Sequence, residues 1–356
     1  MKTLYILDSK KYRKKENALK AISVRFQESE FYYTDYENKL IRFFHRIPLV
    51  GNGFSHILYW LTSALSAIDL TVSYRQKFKK KVFINPIVGF FYCFLNSGSS
   101  LDEEVYISGF LFVAKKNRLY MKMRIKLVNF SFKNTSRIFV YSSEETRIYS
   151  EIFPHLAQKF SFIKYGRDFD IFEEKTYNKS DQYIASGGWS GRDYATLSVA
   201  MKKLGEKYPS IKCRIATRPD ALNKFTGSQN TETIFDIRLG TFGSFLQKSL
   251  FVIIPLRNTA YSTGHMTLLE SMYRGKIILI AGVSSIRNYT DENNVFFYTP
   301  ENPEDLALRA EYIYLNRETQ EMKIKTERAM ALFRKDYCFD AFLERISGEV
   351  CLAKFN

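Results

Sequence analysis

The chain has 356 residues, of which 46% are hydrophobic and 25% charged, and its formal net charge is +16. That length suits two domains rather than one core, and the hydrophobic share excludes a disordered chain. Four widely spaced cysteines, Cys93, Cys213, Cys338 and Cys351, contain no C-x-x-C pair. They argue against a disulfide scaffold or cysteine zinc site and point to a reducing compartment.

The amino terminus turns polar after a short apolar run, too short for the core of a signal peptide, and predicts a first strand over residues 3–7. Further strands are expected over 40–44, 82–84, 105–107, 137–141 and 160–163, and helices over 14–27, 55–68, 118–126 and 144–153. Two apolar stretches invite a membrane reading. The first, 54–70, carries Ser55, His56, Ser63, Ser66 and Asp69; the second, 82–95, is short and carries Asn85 and Pro86. Both therefore read as buried globular segments.

The positive charge is uneven. Residues 1–180 hold 30 Lys and Arg against 17 Asp and Glu, whereas the remainder holds 23 against 20. Aromatic-rich basic segments at 74–83 and 115–130 suit the headgroup region of an anionic membrane, where each Lys or Arg contributes about 1 kcal/mol. The plainer reading is a set of solvated helix faces whose long side chains cover apolar surface. Without zinc-finger spacing, an RNP-like motif or a cleanly backed basic helix, nucleic acid is not an expected partner.

A polar, strand-free stretch at 166–181 reads as an interdomain linker. Beyond it, strands are expected over 182–185, 212–216, 233–237, 250–255 and 277–280, with helices over 194–208, 243–249 and 266–275. Asn302, Pro303, Glu304 and Asp305 start another helix, with an N-cap, a first-turn proline and acidic residues, and helices fill 318–350. This alternation predicts a doubly wound α/β fold.

Two loops in this half lie just past predicted strands, at the sheet edge where α/β folds bind ligands. The first holds Gly187, Gly188, Gly191 and Arg192; Arg218 follows the next strand. Arginine's fork suits phosphate oxygens, and the plainer role for Arg192 is a salt bridge with Asp193 or another carboxylate. The second loop holds Ser262, Thr263 and Gly264 and leads through His265, Met266 and Thr267 into a helix, whose first amides and dipole favour an anion. Glu270 has two readings: a ligand to the anion's sugar, or the partner of Thr267 in a capping box. His265 is expected to contribute its amide and packing. His45, His56 and His155 are scattered and suggest no metal site.

The segment carrying Ser262, Gly264, Leu268, Leu269, Glu270, Met272, Gly275 and Lys276 resembles the S-x-G-x-x-x-L-L-E-x-M-x-x-G-K signature of GT-B nucleotide-sugar glycosyltransferases, the large retaining group 1 (family 4-like) set. Two positions depart from it: Ser262 stands where many members carry the first Glu of a Glu-x7-Glu pair, and Asp193 where a lysine is frequent. The resemblance implies two Rossmann-like doubly wound parallel-sheet domains facing a cleft. Residues 1–170 would form the acceptor-binding domain and 181–337 the nucleotide-sugar domain, with a helix in 338–356 packing back toward the first. It implies a donor site of Gly187, Gly188, Arg218, Ser262, Thr263, Gly264, His265, Met266, Thr267 and Glu270, with Arg192 and Glu270 as the catalytic pair. Arg192 would meet the donor phosphates and Glu270 the ribose.

The implied reaction is hexosyl transfer with retention, without metal or cofactor. The donor would be a nucleotide diphosphate sugar and the acceptor a saccharide, lipid-linked by analogy with bacterial surface polysaccharide assembly. The chain would work in the cytoplasm, at the inner face of the cytoplasmic membrane. A sugar-nucleotide epimerase of the same fold and a non-catalytic sugar-nucleotide or membrane-binding protein are the alternatives.

Overall fold

The computed structural model describes residues 2–22, 26, 28–34, 51–98, 103–172, 176–177, 182–222, 225–235 and 239–352. The strand expected over 40–44 lies outside them. The chain divides into two compact units, Met1–Ile163 with Glu344–Asn356, and Lys164–Leu343. The first unit thus ends earlier than the sequence suggested.

In the first unit, strands β1 (Thr3–Leu7), β2 (Glu30–Tyr33), β3 (Lys80–Phe83), β4 (Glu104–Ser108), β5 (Arg137–Val140) and β6 (Phe160–Phe162) form one parallel sheet in the order β2-β1-β3-β4-β5-β6. Its helices are α1 (Glu16–Ile22), α2 (Gly51–Tyr74), α3 (Pro86–Leu95), α4 (Arg118–Phe132) and α5 (Ser143–Ile152). Every residue of β1 is buried, as an unbroken apolar run covered on both faces should be. β3 starts earlier than its apolar residues indicate because two lysines are absorbed into it. Lys80 pairs with Glu104 at 3.0 Å and buried Lys81 with Glu103 at 2.9 Å. α3 was hidden in the sequence by its uniform apolar character. Its start is a side-chain cap: Asn85 accepts from the amides of Ile87 and Val88, and Pro86 takes the first position.

In the second unit, β7 (Ile184–Gly187), β8 (Cys213–Ala216), β9 (Thr231–Ile234), β10 (Val252–Ile254), β11 (Ile278–Ala281) and β12 (Phe296–Tyr298) form a parallel sheet in the order β12-β11-β10-β7-β8-β9. From β7 the sheet grows through β8 and β9 on one side, then returns to add β10 to β12 on the other. The order therefore reverses between β7 and β10. The helices are α6 (Tyr194–Lys207), α7 (Leu239–Gln247), α8 (His265–Tyr273), α9 (Ser284–Arg287), α10 (Pro303–Asn316) and α11 (Gln320–Leu332); the last helix, α12 (Phe339–Leu352), starts in this unit, which ends at Leu343. β12 and α9 are too short to announce themselves by periodicity.

Residues at the start of the expected linker are built into this second unit. Phe169 and Phe172 are buried, and Phe169 packs on Tyr273 and Phe333. The end of α12 belongs to the first unit: the Val350 carbonyl accepts from Lys80 Nζ at 2.5 Å and Glu349 pairs with Arg137 at 3.4 Å. Among the described residues no helix is long and apolar enough to cross a membrane.

Candidate functional site

The loops that follow β7 and β10 flank the reversal of strand order and are joined to each other. Arg192 and Leu256 form an antiparallel bridge, the Asp193 amide donates to the Pro255 carbonyl at 3.0 Å, and the Arg257 amide donates to the Gly191 carbonyl at 3.0 Å. Gly191 lies so close to the second loop that a Cβ there would sit 2.7 Å from Thr263 Oγ1. The two glycine-bearing loops picked out in the sequence are thus one piece of backbone.

Arg192 is the side chain that ties them. It is 5% exposed, with Nε donating to the Gly187 carbonyl at 2.7 Å, Nη1 to the Ser190 carbonyl at 3.0 Å and Nη2 to Thr267 Oγ1 at 2.9 Å. Burial pulls its pKa below the usual guanidinium value. Gly188 makes room for this side chain: its φ is +99°, and any Cβ there would run into the guanidinium. The Gly188 carbonyl accepts from Tyr194 Oη at 2.5 Å and Thr217 Oγ1 at 2.7 Å. Neither a salt bridge to Asp193 nor an exposed fork describes Arg192. It fixes the first turn and carries a positive charge beneath the start of α8.

That start is open. Gly264 is the N-cap, with φ +85°, and no side chain caps the helix. Among the described residues no acceptor takes the amides of His265, Met266 and Thr267. Three N–H groups and the positive end of the helix dipole converge there, the arrangement that holds a phosphate. α6, beside it, is closed: Asp193 caps it by accepting from the Thr196 amide at 3.2 Å, and Thr196 Oγ1 donates to the same carboxylate at 2.6 Å. A carboxylate at that terminus repels an anion, so α8 is the terminus suited to one.

The capping-box reading of Thr267 and Glu270 is not what forms. The cap falls at Gly264, Thr267 lies in the first turn with its hydroxyl accepting from Arg192, and Glu270 lies in the second turn. Glu270 is buried, 3.9 Å from Arg274 Nη2, and faces Gly243, where a Cβ would come within 2.6 Å of its Oε1. His265 is buried against Tyr289, with ring centroids 4.3 Å apart, and its Nε2 lies 3.2 Å from the Ser285 carbonyl. Burial lowers its pKa to about 4, against hydrogen bonds to the Ser285 and Ser262 backbone that raise it, so the imidazole is neutral.

Ser262 and Met266 are half-buried and Thr263 is buried, its hydroxyl without a hydrogen-bond partner among the described residues. Arg218 stands past β8 with its guanidinium 4.1 Å from the ring centre of Trp189, which is 56% exposed. Sequence reasoning passed over Trp189, although an aromatic inside a glycine turn is itself a signal. It also passed over Arg167, assigned to the linker. Its guanidinium lies 4.0 Å from the Phe172 ring centre and 3.9 Å from Met266 Sδ, next to the opening turn of α8. Among the described residues no group of three or more His, Cys, Asp or Glu could hold a metal ion.

No protein-family model matches the chain, and no curated protein matches it by sequence. Solved structures do match its fold. Anabaena HepE, solved in complex with UDP-glucose, aligns over 99% of each chain with a TM-score of 0.64 at 11% identity. A glycosyltransferase from Rickettsia africae aligns over 100% of this chain and 99% of its own, with a TM-score of 0.61 at 12% identity. A UDP-N-acetylglucosamine 2-epimerase aligns over 99% of this chain and 96% of its own, with a TM-score of 0.54 at 10% identity. The fold is therefore GT-B, two Rossmann-like parallel-sheet domains, as the resemblance in residues 262–276 implied.

Proposed function

We propose that this chain is a glycosyltransferase that takes a sugar from a nucleotide diphosphate sugar, a uridine nucleotide by analogy with the structures it is similar to. The observation that carries the reading is the open N-terminus of α8 behind Gly264, placed where the sheet order reverses. The amides of His265, Met266 and Thr267 hold the diphosphate, with Ser262 and Thr263 in the approach loop. Gly187 and Gly188 let the first turn pass close by. Arg192 supplies charge from below, Arg218 and Arg167 supply it from the sides, and Glu270 serves the ribose end.

In the transfer, the bond from the anomeric carbon to the diphosphate breaks as an acceptor hydroxyl oxygen bonds to that carbon, and the hydroxyl proton leaves. Negative charge grows on the departing nucleoside diphosphate, where fixed amides and cations stabilise it. This accounts for leaving-group departure without a metal ion. The reading takes retention at the anomeric carbon and hexosyl transfer from the family pattern. It takes the acceptor to be a lipid-linked saccharide held by the basic first unit at the inner face of the cytoplasmic membrane, in polysaccharide assembly.

The epimerase similarity supports a second reading, in which the nucleotide sugar is isomerised. Incubation with a panel of nucleotide sugars, with and without a lipid-linked acceptor extract, separates the two by chromatography of the nucleotides. Acceptor-dependent release of nucleoside diphosphate with a glycosylated product is the expected result. An isomeric nucleotide sugar made without acceptor would establish the epimerase, and binding without turnover of any donor the non-catalytic protein.

A further inference from the structure

The outward faces of α2, α3 and α4 carry apolar side chains where a helix layer over a sheet ordinarily presents polar ones. On α2, Ile57, Leu61, Leu65, Ile68 and Val72 recur every three or four residues and are all exposed, Val72 to 80%. The same helix buries Ser63, Ala67 and Leu70. On α4, Leu119, Met123, Leu127 and Phe130 form a second exposed stripe, with Leu119 at 79%. α3 packs against both neighbours. Aromatic rings bridge the three helices: Trp60 meets Phe91 edge-on at 5.7 Å, and Phe94 meets Phe130 at 5.7 Å. Trp60, Phe94 and Phe130 are themselves exposed, so the apolar surface is continuous across the layer. Monomeric soluble proteins rarely leave such a surface uncovered.

Cations run beside the α4 stripe. Arg118, Lys122 and Lys126 stand one turn apart and exposed, with Lys115 and Lys116 just ahead of the helix. No Asp or Glu occurs between Glu104 and Glu144. Among the described residues Arg118, Lys122 and Lys126 have no carboxylate partner. The site thus combines exposed aliphatic and aromatic groups with unneutralised cations on a neighbouring row. A second copy of the chain would bring the same positive excess and no acidic row to meet it. A nucleic acid would leave the α2 stripe, which carries no Lys or Arg, in water.

We propose that the α2, α3 and α4 face is a membrane-docking surface, lying in the plane of an anionic lipid bilayer with its apolar side chains at the acyl boundary and the α4 cations on lipid phosphates. It does not depend on what the second unit does. The test is sedimentation of the full-length protein with phosphatidylcholine vesicles and with phosphatidylcholine/phosphatidylglycerol vesicles, at low and physiological salt. The wild type should pellet with the anionic vesicles and stay in solution with the zwitterionic ones. L119E/M123E, L61E/L65E and K122E/K126E should each bind the anionic vesicles at least about tenfold more weakly.

Each variant should keep the wild-type circular dichroism and thermal unfolding midpoint in lipid-free buffer, which shows that the fold is intact. In a Trp189→Phe background, Trp60 emission should shift to the blue on adding anionic vesicles. Equal binding to both lipids, or vesicle binding unmoved by all three double substitutions, overturns the proposal. So does a lipid-free dimer in sedimentation velocity that the same substitutions dissolve, since a second copy would then be the occupant.

Discussion

Both sheets reverse their strand order once, the first between β1 and β3 and the second between β7 and β10, and the two reversal points are finished differently. In the first unit the turns are closed by their own side chains. Ser9 accepts from the Lys11 amide at 3.2 Å, and Asn85 accepts from Ile87 and Val88 at 3.2 and 3.3 Å. In the second unit Asp193 closes α6, but α8 begins at a glycine with nothing to offer its amides. The same layout is thus a satisfied turn or an open helix terminus according to one N-cap side chain, and the open terminus is where we propose that the anion binds. A helix terminus becomes a site when the protein withholds the cap that would otherwise stabilise it.

The largest way to break this contrast is Arg192→Ala. It strips partners from the Gly187 and Ser190 carbonyls and from Thr267 inside a closed site, and should cost about 3–5 kcal/mol in a urea titration. Lost activity in that variant would therefore report lost structure as well as lost charge. An unchanged urea midpoint would show that the two loops do not depend on the guanidinium.

Next in size is a pH effect at His265. The fold holds it neutral with a pKa of about 4, whereas the unfolded chain takes up the proton near 6.5. Its contribution is therefore fully present above about pH 6.5 and is lost as pH falls toward 4, by about 3 kcal/mol. His265→Phe should flatten that part of the stability profile followed by denaturant melts between pH 7 and 4. An equal slope in both proteins would place the acid sensitivity elsewhere.

Gly264→Ala and Asn85→Ala test the two caps against each other. The alanine at 264 must adopt φ +85° with its Cβ 3.0 Å from Leu256, at a cost of about 1–2 kcal/mol. Calorimetry should also show nucleoside diphosphate binding weakened about tenfold. Glu270→Gln should weaken UDP about tenfold while leaving 2′,3′-dideoxy-UDP unaffected, because only the former offers ribose hydroxyls to a carboxylate. Equal losses for both ligands would take Glu270 away from the ribose and leave it as Arg274's partner. Smallest of all, Asn85→Ala should cost about 1 kcal/mol by thermal melt with nucleotide affinity intact.

Much of this was legible in the residues. Unbroken apolar runs gave away β1, β10 and β11, and the glycine, serine and threonine content of 186–191 and 258–264 marked both turns at the second reversal point. What escaped notice shares a cause: local pattern contradicted by tertiary pairing. Lys80 and Lys81 read as surface yet lie in a strand with Glu104 and Glu103. The apolar run after Asn85 could be strand or helix until the cap decided it. Arg192 read as a ligand for phosphate, but its hydrogen bonds go to the Gly187 and Ser190 carbonyls and the Thr267 hydroxyl, which only the folded loops bring to it. The capping-box reading of Glu270 fell only when the helix was seen to start at His265, two residues before Thr267.

The bridge between Arg192 and Leu256 also bears on the thermodynamics of ligand capture. Loops that meet a nucleotide separately must each surrender conformational freedom on its arrival. Here both segments are already fastened together by backbone and guanidinium hydrogen bonds, so little ordering remains to be done. The uptake of nucleoside diphosphate proposed for the second unit should therefore carry a small entropic penalty and an association rate close to that of a rigid receptor.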